Sequence, residues 1–163
     1  MSSLLDTLLF EHNPVPAFVI NAQHVVTHFN RACAQCLGID ASEVLHKKGL
    51  GQVFYGRDRP VMADLIVDGS MKEIIDDLYQ NKYRSSLTVP DAYEAEGFFP
   101  NMGPSGRWLF FTAAPLRDAT GAIIGAIETL QDISERKIVE DALMVAQLEV
   151  EQVVERRTAE LAS

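Results

Sequence analysis

The chain predicts an α+β domain on an antiparallel sheet of five strands, with short helices on one face and a long helix at the C-terminus. Three observations carry that expectation. Apolar, β-favouring runs come in close pairs, Ala17–Ile20 with Val25–Phe29 and Arg107–Leu116 with Ile123–Gln131. Connections of only a few residues suit hairpins, not crossovers. Between the pairs, apolar residues recur at helical spacing, so strands and helices are grouped and do not alternate. After Gln131 the composition turns abruptly charged and helix-favouring.

Each element has its own reason. Ser3 to Phe10 reads as a short amphipathic helix: Ser3 caps it, Asp6 stands three residues on, and Leu4, Leu5, Leu8 and Leu9 form one apolar stripe. Asn13-Pro-Val-Pro16 stops it, because proline cannot continue a helix. Asn21 to His24 is the turn between the first two strands. Asn30 caps a helix over 31–37 that ends at Gly38. Asp40 and Glu43 have capping-box spacing and open another short helix, ending near Gly49. Val61, Met62, Leu65 and Ile66, then Ile74, Ile75 and Leu78, mark two helices separated by Gly69-Ser70. The stretch 81–105 reads as a strand at 86–89 followed by a long irregular loop. That loop takes in the strand-like 93–99, since Pro90, Pro100, Pro104 and several glycines interrupt the segment. Arg117 to Gly121 turns the chain into its last strand, and Asp132 or Ser134 caps the final helix.

Three segments result: a capping helix at 1–12, a central domain at 13–134 and a helical tail at 135–163. At 163 residues the chain can hold one core plus an appendage. The last 29 residues carry seven acids and four bases, a net −3 of the chain's −9, so the acidity is spread over the whole chain. Such a chain is a poor ligand for nucleic acid or anionic membrane. No apolar run approaches the roughly 18 residues that a membrane span needs, so no membrane insertion is expected. The N-terminus lacks a basic signal-peptide region, and two cysteines three residues apart make no disulfide framework, so cytoplasmic residence is expected.

In the tail Val139, Ala142 or Leu143, Ala146, Val150, Val153 and Leu161 fall near three-and-four spacing, with Arg157 interrupting. One helix cannot bury that seam alone. A second copy in a parallel dimer is the simplest partner, and folding back on the domain is the alternative.

Residues 13–137 resemble a PAS domain, a small sensory module of bacterial signalling proteins. Ala17-Phe-Val-Ile-Asn21 is similar to its first strand and Phe29-Asn-Arg-Ala32 to the entry into its first core helix. Trp108–Asp118 and Gly121–Gly125 are similar to its last two strands, and Asp132-Ile133-Ser134 to the junction that ends it. Glu155-Arg-Arg-Thr-Ala-Glu-Leu161 resembles the coiled-coil linker ahead of the output module in sensor histidine kinases of two-component systems and in some diguanylate cyclases. The resemblance implies a regulatory fragment without catalysis of its own, whose parent protein carries the output domain. No phospho-accepting His motif or Gly-rich nucleotide loop is present. It also implies a signal-transfer joint at Asp132, Ser134 and Arg136, with Asp132 capping the helix and pairing with a base such as Arg136. An ordinary N-cap worth about 1 kcal/mol is the plainer reading.

PAS domains enclose a pocket between sheet and helices, and the candidates for its lining are Tyr55, Arg57, Arg59, Tyr93, Leu109, Phe111 and Glu128. Glu128 lies in an apolar strand, where an ionised carboxylate is costly unless paired. Period two puts it on one face with Ala126 and Leu130, the face the family turns inward. An Arg at 57 or 59 could hold a ligand carboxylate through both oxygens. An internal Glu128–Arg salt bridge, or exposure of both, is equally open. Trp108, Phe110 and Thr112 fall on the opposite face and need a cover. Candidate interface residues are therefore Leu4, Leu8, Trp108 and Phe110, with Leu143, Ala146, Val150 and Val153 in the tail.

The cofactor is not named by the sequence. A small organic ligand fits the resemblance, and a ligand-free dimeric relay is the alternative. Haem is disfavoured, because of His12, His24, His28 and His46 only His46 falls near a pocket-facing helix. Flavin photochemistry is disfavoured because the Asn-Cys-Arg context is missing. Cys33-Ala-Gln-Cys36 has redox spacing, which leaves a thiol-redox protein as the last alternative. Small buried thiols are the ordinary reading.

Overall fold

The computed structural model describes residues 3–80 and 82–162 and divides into two units, Met1–Asp132 and Ile133–Ser163. In chain order the first unit holds α1 (Leu4–Glu11), β1 (Ala17–Asn21), β2 (Val26–Phe29), α2 (Arg31–Leu37), α3 (Gly51–Tyr55), α4 (Met62–Asp68) and α5 (Met71–Tyr79). The strands β3 (Tyr83–Ser85), β4 (Tyr93–Phe99), β5 (Arg107–Arg117) and β6 (Ile123–Asp132) complete it. The second unit is α6 (Ser134–Ala162), a single helix of 29 residues.

The sheet is antiparallel throughout, in the order β2-β1-β6-β5-β4-β3. It therefore has six strands, not the five expected. The discrepancy lies wholly in 81–105. Residues 86–89 are a turn, in which Ser86 Oγ accepts the amides of Thr88 (3.3 Å) and Val89 (3.2 Å). The short strand comes just before it, and Tyr93–Phe99 pairs with β5 along its whole length. Pro90 and Pro100 do not interrupt the strand, because they lie outside β4 and bracket it, where a missing N–H costs no ladder bond.

Capping explains most helix ends. Ser3 Oγ accepts the amide of Asp6 and Asp6 returns the bond, a reciprocal box that starts α1. Asn30 starts α2 by accepting the amide of Cys33 (2.9 Å), and Gly38 ends it at φ 70°. The helix expected from Asp40 to Gly49 is only a 3₁₀ turn at Ala41–Glu43, capped by Asp40, whose Oδ1 accepts the amide of Ser42. Beyond it the backbone is diverted to the sheet edge, where Val26 exchanges bonds with Lys47 and His46. The helix at Gly51–Tyr55 was not expected. Its Gly51 is required, since a Cβ there would stand 1.6 Å from the carbonyl oxygen of Arg59.

The inner sheet face and the helices make one core. Leu109, Phe111 and Ala113 of β5 are buried, while Trp108, Phe110 and Thr112 between them are half-buried on the other face. Phe18 and Ile20 of β1, Leu130 of β6, and Met62, Leu65 and Ile66 of α4 close over that layer. Rings continue from Phe18 to Phe54 (6.0 Å), Phe99 (5.9 Å) and Phe111 (6.3 Å), contacts that fill the interior with aromatic carbon.

Candidate functional site

At one end of the inner face a cavity of about 260 Å³ opens between α3, α5 and the sheet. Tyr55 comes from α3, Leu78 and Tyr79 from the end of α5, and Gln80 and Lys82 follow that end. Glu96 to Phe99 of β4 and Phe111 of β5 form the opposite wall, and Arg59 reaches in from the connection between α3 and α4. The guanidinium Cζ of Arg59 lies 4.0 Å from the ring centre of Tyr55 and 5.2 Å from that of Tyr79. Its Nη2 donates to the carbonyl of Leu78 (2.7 Å). Its Nε is buried with no hydrogen-bond partner among the described residues. The hydroxyls of Tyr55 and Tyr79 approach to 3.4 Å, and burial raises the pKa of both. They stay protonated and are available as donors.

Of the seven pocket residues expected from sequence, this cavity brings together Tyr55, Arg59 and Phe111. Leu109 is part of the packed core, Tyr93 is half-buried beside it, and Arg57 is exposed. Glu128 faces inward and is buried, which settles its face. It neither pairs with an arginine nor meets solvent: its Oε1 accepts the amide of Ala63 in the first turn of α4 (2.9 Å). Burial, partly opposed by that bond and aided by Asp64, pushes its pKa up to about 8.

Sequence reasoning missed two sites. His24, at φ 65° in the hairpin turn, contacts Asp64 through Nδ1 and Asp68 through Nε2, each at 2.7 Å. A turn histidine gives no hint of partners forty residues away, although Asp64 and Asp68 do share one helix face by spacing. Arg107 donates to the carbonyl of Cys36, and its Nε lies 3.8 Å from Asp132.

Asp132 is the last residue of β6 and Ser134 the first of α6, with Ile133 alone between them. Arg136, expected beside Asp132, has its Nε 3.3 Å from Glu140 one turn on. Leu4 and Leu8 are exposed on α1, and Trp108 and Phe110 are half-buried, with Phe98 against Trp108 (5.6 Å). Leu143, Ala146, Val150 and Val153 are exposed on α6.

The thiols are poor nucleophiles. Burial pushes Cys33 well above its ordinary value, and burial also raises Cys36 although Arg107 opposes it. No histidine lines the cavity, and His46 is exposed. Among the described residues no cluster of His, Cys, Asp and Glu could hold a metal, and no helix is long and apolar enough to cross a membrane. A wider cleft of about 380 Å³ runs along α2 and past its end, lined by Glu11, Arg31, Gln35 and Asp40 among others, and holds no buried, unpartnered polar side-chain atom among the described residues.

Residues 5–133 match the PAS fold family. Among solved structures, the PAS domain of BvgS from Bordetella pertussis superposes with a TM-score of 0.51 at 15% identity, over 88% of this chain and 95% of that one. An RNA-binding Light-Oxygen-Voltage receptor superposes with a TM-score of 0.59 at 18% identity, over 93% of this chain and 41% of the receptor. The chain thus spans less than half of that receptor's length. No curated protein sequence matches.

Proposed function

This chain belongs to the PAS fold family, and from that premise we propose that it is the sensory and dimerisation module of a bacterial signalling protein. It binds a small organic molecule in the cavity beside Arg59 and passes the bound state through Asp132 into α6, and so to an output domain. A histidine kinase or diguanylate cyclase is the parent that its linker-like tail suggests. PAS domains are regulatory modules, so no catalytic step is assigned to the fragment.

The observation that carries the reading is a charged group built into an aromatic cavity, the guanidinium of Arg59 against Tyr55 and Tyr79 with its Nε unpartnered among the described residues. A filled core would have no reason to keep an unsatisfied buried donor. The relay half rests on chain order, because one residue separates the end of β6 from the start of α6. α6 also leaves Val139, Leu143, Val150 and Val153 exposed, apolar surface that a second copy would cover. The continuous aromatic contacts from Phe18 to Phe111 favour a second reading, a ligand-free dimeric relay.

Native mass spectrometry of the purified chain separates them. A dimer of the 18.1 kDa chain carrying reproducible extra mass is the expected result. A dimer without extra mass, even after incubation with metabolite extracts, supports the relay alone, and a bare monomer removes the dimer.

A further inference from the structure

Resting on the ligand-pocket reading above, we propose that the cavity takes a small monoanion with a flat apolar body, an aromatic carboxylate, and that Arg59 selects it. Charge is the first reason. The chain as a whole carries −9, yet among the described residues this cavity is lined by Arg59 and Lys82 against the single acid Glu96. A local cationic excess inside an acidic molecule favours an anionic ligand and a complementary charge on it.

Donor geometry is the second reason. Arg59 presents its N–H groups in a rigid fork, and the aromatic rings of Tyr55 and Tyr79 hold the plane of that fork. Nη2 is engaged by Leu78, whereas the buried Nε has no partner among the described residues. A carboxylate oxygen entering the cavity would accept that N–H, and the protonated hydroxyls of Tyr55 and Tyr79 are further donors beside it. A donor-rich ligand gains little from this arrangement, because among the described lining residues Glu96 and the amide of Gln80 are the only side-chain acceptors apart from the hydroxyls.

Shape is the third. The walls are rings, Tyr55, Tyr79, Phe99 and Phe111, and Gly97 contributes no side chain between them. Flat bodies stack on such walls. The volume of about 260 Å³ falls below the roughly 300–1,000 Å³ of ordinary ligand clefts. A one- or two-ring acid is therefore favoured over a flavin, a haem or a nucleotide. Arg57 is exposed and outside the lining, so selection by charge falls to Arg59.

The test is calorimetric titration of the full chain with benzoate and indole-3-acetate, beside the neutral benzamide and indole-3-acetamide. The acids are expected to bind at least tenfold tighter than their amides. Arg59→Gln should erase that preference, Arg59→Lys should retain part of it, and Arg57→Gln should leave it intact. The lysine variant keeps the charge without the fork, which separates selection from a folding defect. Amides that bind as well as acids, or a preference that survives Arg59→Gln, overturn the anion assignment while the pocket stands. Binding of neither series overturns it too. In that case extra mass on the native chain keeps the pocket reading, and its absence removes that reading as well.

Discussion

Glu128 is held between opposing forces. Burial favours its neutral form, and the nearby Asp64 adds to that, while the amide of Ala63 favours the carboxylate. Burial wins, and the pKa rises to about 8, well above the roughly 4.3 of an unfolded glutamate. Between those two values the folded chain holds a proton that the unfolded chain has released. Stability must then fall as pH rises through that window and level off above it, with a slope of at most about 1.4 kcal/mol per unit. Glu128→Gln mimics the protonated form and should remove this share of the decline. Urea unfolding at pH 5.5 and 8.5 checks it: the wild type should lose more stability than the variant, and equal losses would show that Glu128 does not titrate late. The inward face of Glu128 was legible from period two taken together with the family resemblance. Its partner was not, because a backbone N–H sixty-five residues away leaves no mark in a side-chain pattern.

At the scale of elements, α4 is the helix most tied to others. Its first turn meets Glu128 of β6, and its outer face is gripped by His24 from the turn between β1 and β2. Burial lowers the pKa of His24, but the two carboxylates outweigh it and the net shift is upward. A raised histidine pKa stabilises the fold fully below the unfolded value near 6.5, and the gain is lost as pH climbs through the folded value. His24→Asn keeps a side chain that tolerates positive φ and deletes the charge. The variant should lose roughly 1 kcal/mol or less at pH 6, since Asp68 is half-exposed, and almost nothing at pH 9. Thermal melts at both pH values read this, and an equal loss at both would make the contact mere packing. Element boundaries were legible where a cap or a proline announces them, as at Ser3, Asn30 and Gly38. They were obscured where tertiary pairing decides: Glu94, Glu96 and Gly97 have poor strand propensity, yet β5 recruits β4 along its full length. The 3₁₀ turn after Asp40 yields in the same way to the edge bonds of Val26.

For the whole molecule, the question is how a change at the cavity leaves the domain. The wall on β5 shares ladder bonds with β6, a central strand paired on both sides, and the wall on β4 reaches β6 only through β5. In the proposed relay, these ladders are the route by which a shift at Phe99 or Phe111 would reach the end of β6. There Asp132 lies opposite Leu109 and 3.8 Å from Arg107, whose other bond reaches the carbonyl of Cys36 in α2. The proposed joint therefore gathers a strand end, a neighbouring strand and a helix end immediately before α6 begins. Asp132→Ala should cost the fold little, about 1 kcal/mol or less, because the ion pair is long and the carboxylate is partly exposed. It should leave ligand binding at Arg59 within a factor of two, since Asp132 lines no part of that cavity. What it should remove is the response of the full-length parent, measured as output activity with and without ligand. A parent that answers normally, with Asp132→Ala verified as folded, would place the joint elsewhere and leave Asp132 as an ordinary surface partner of Arg107.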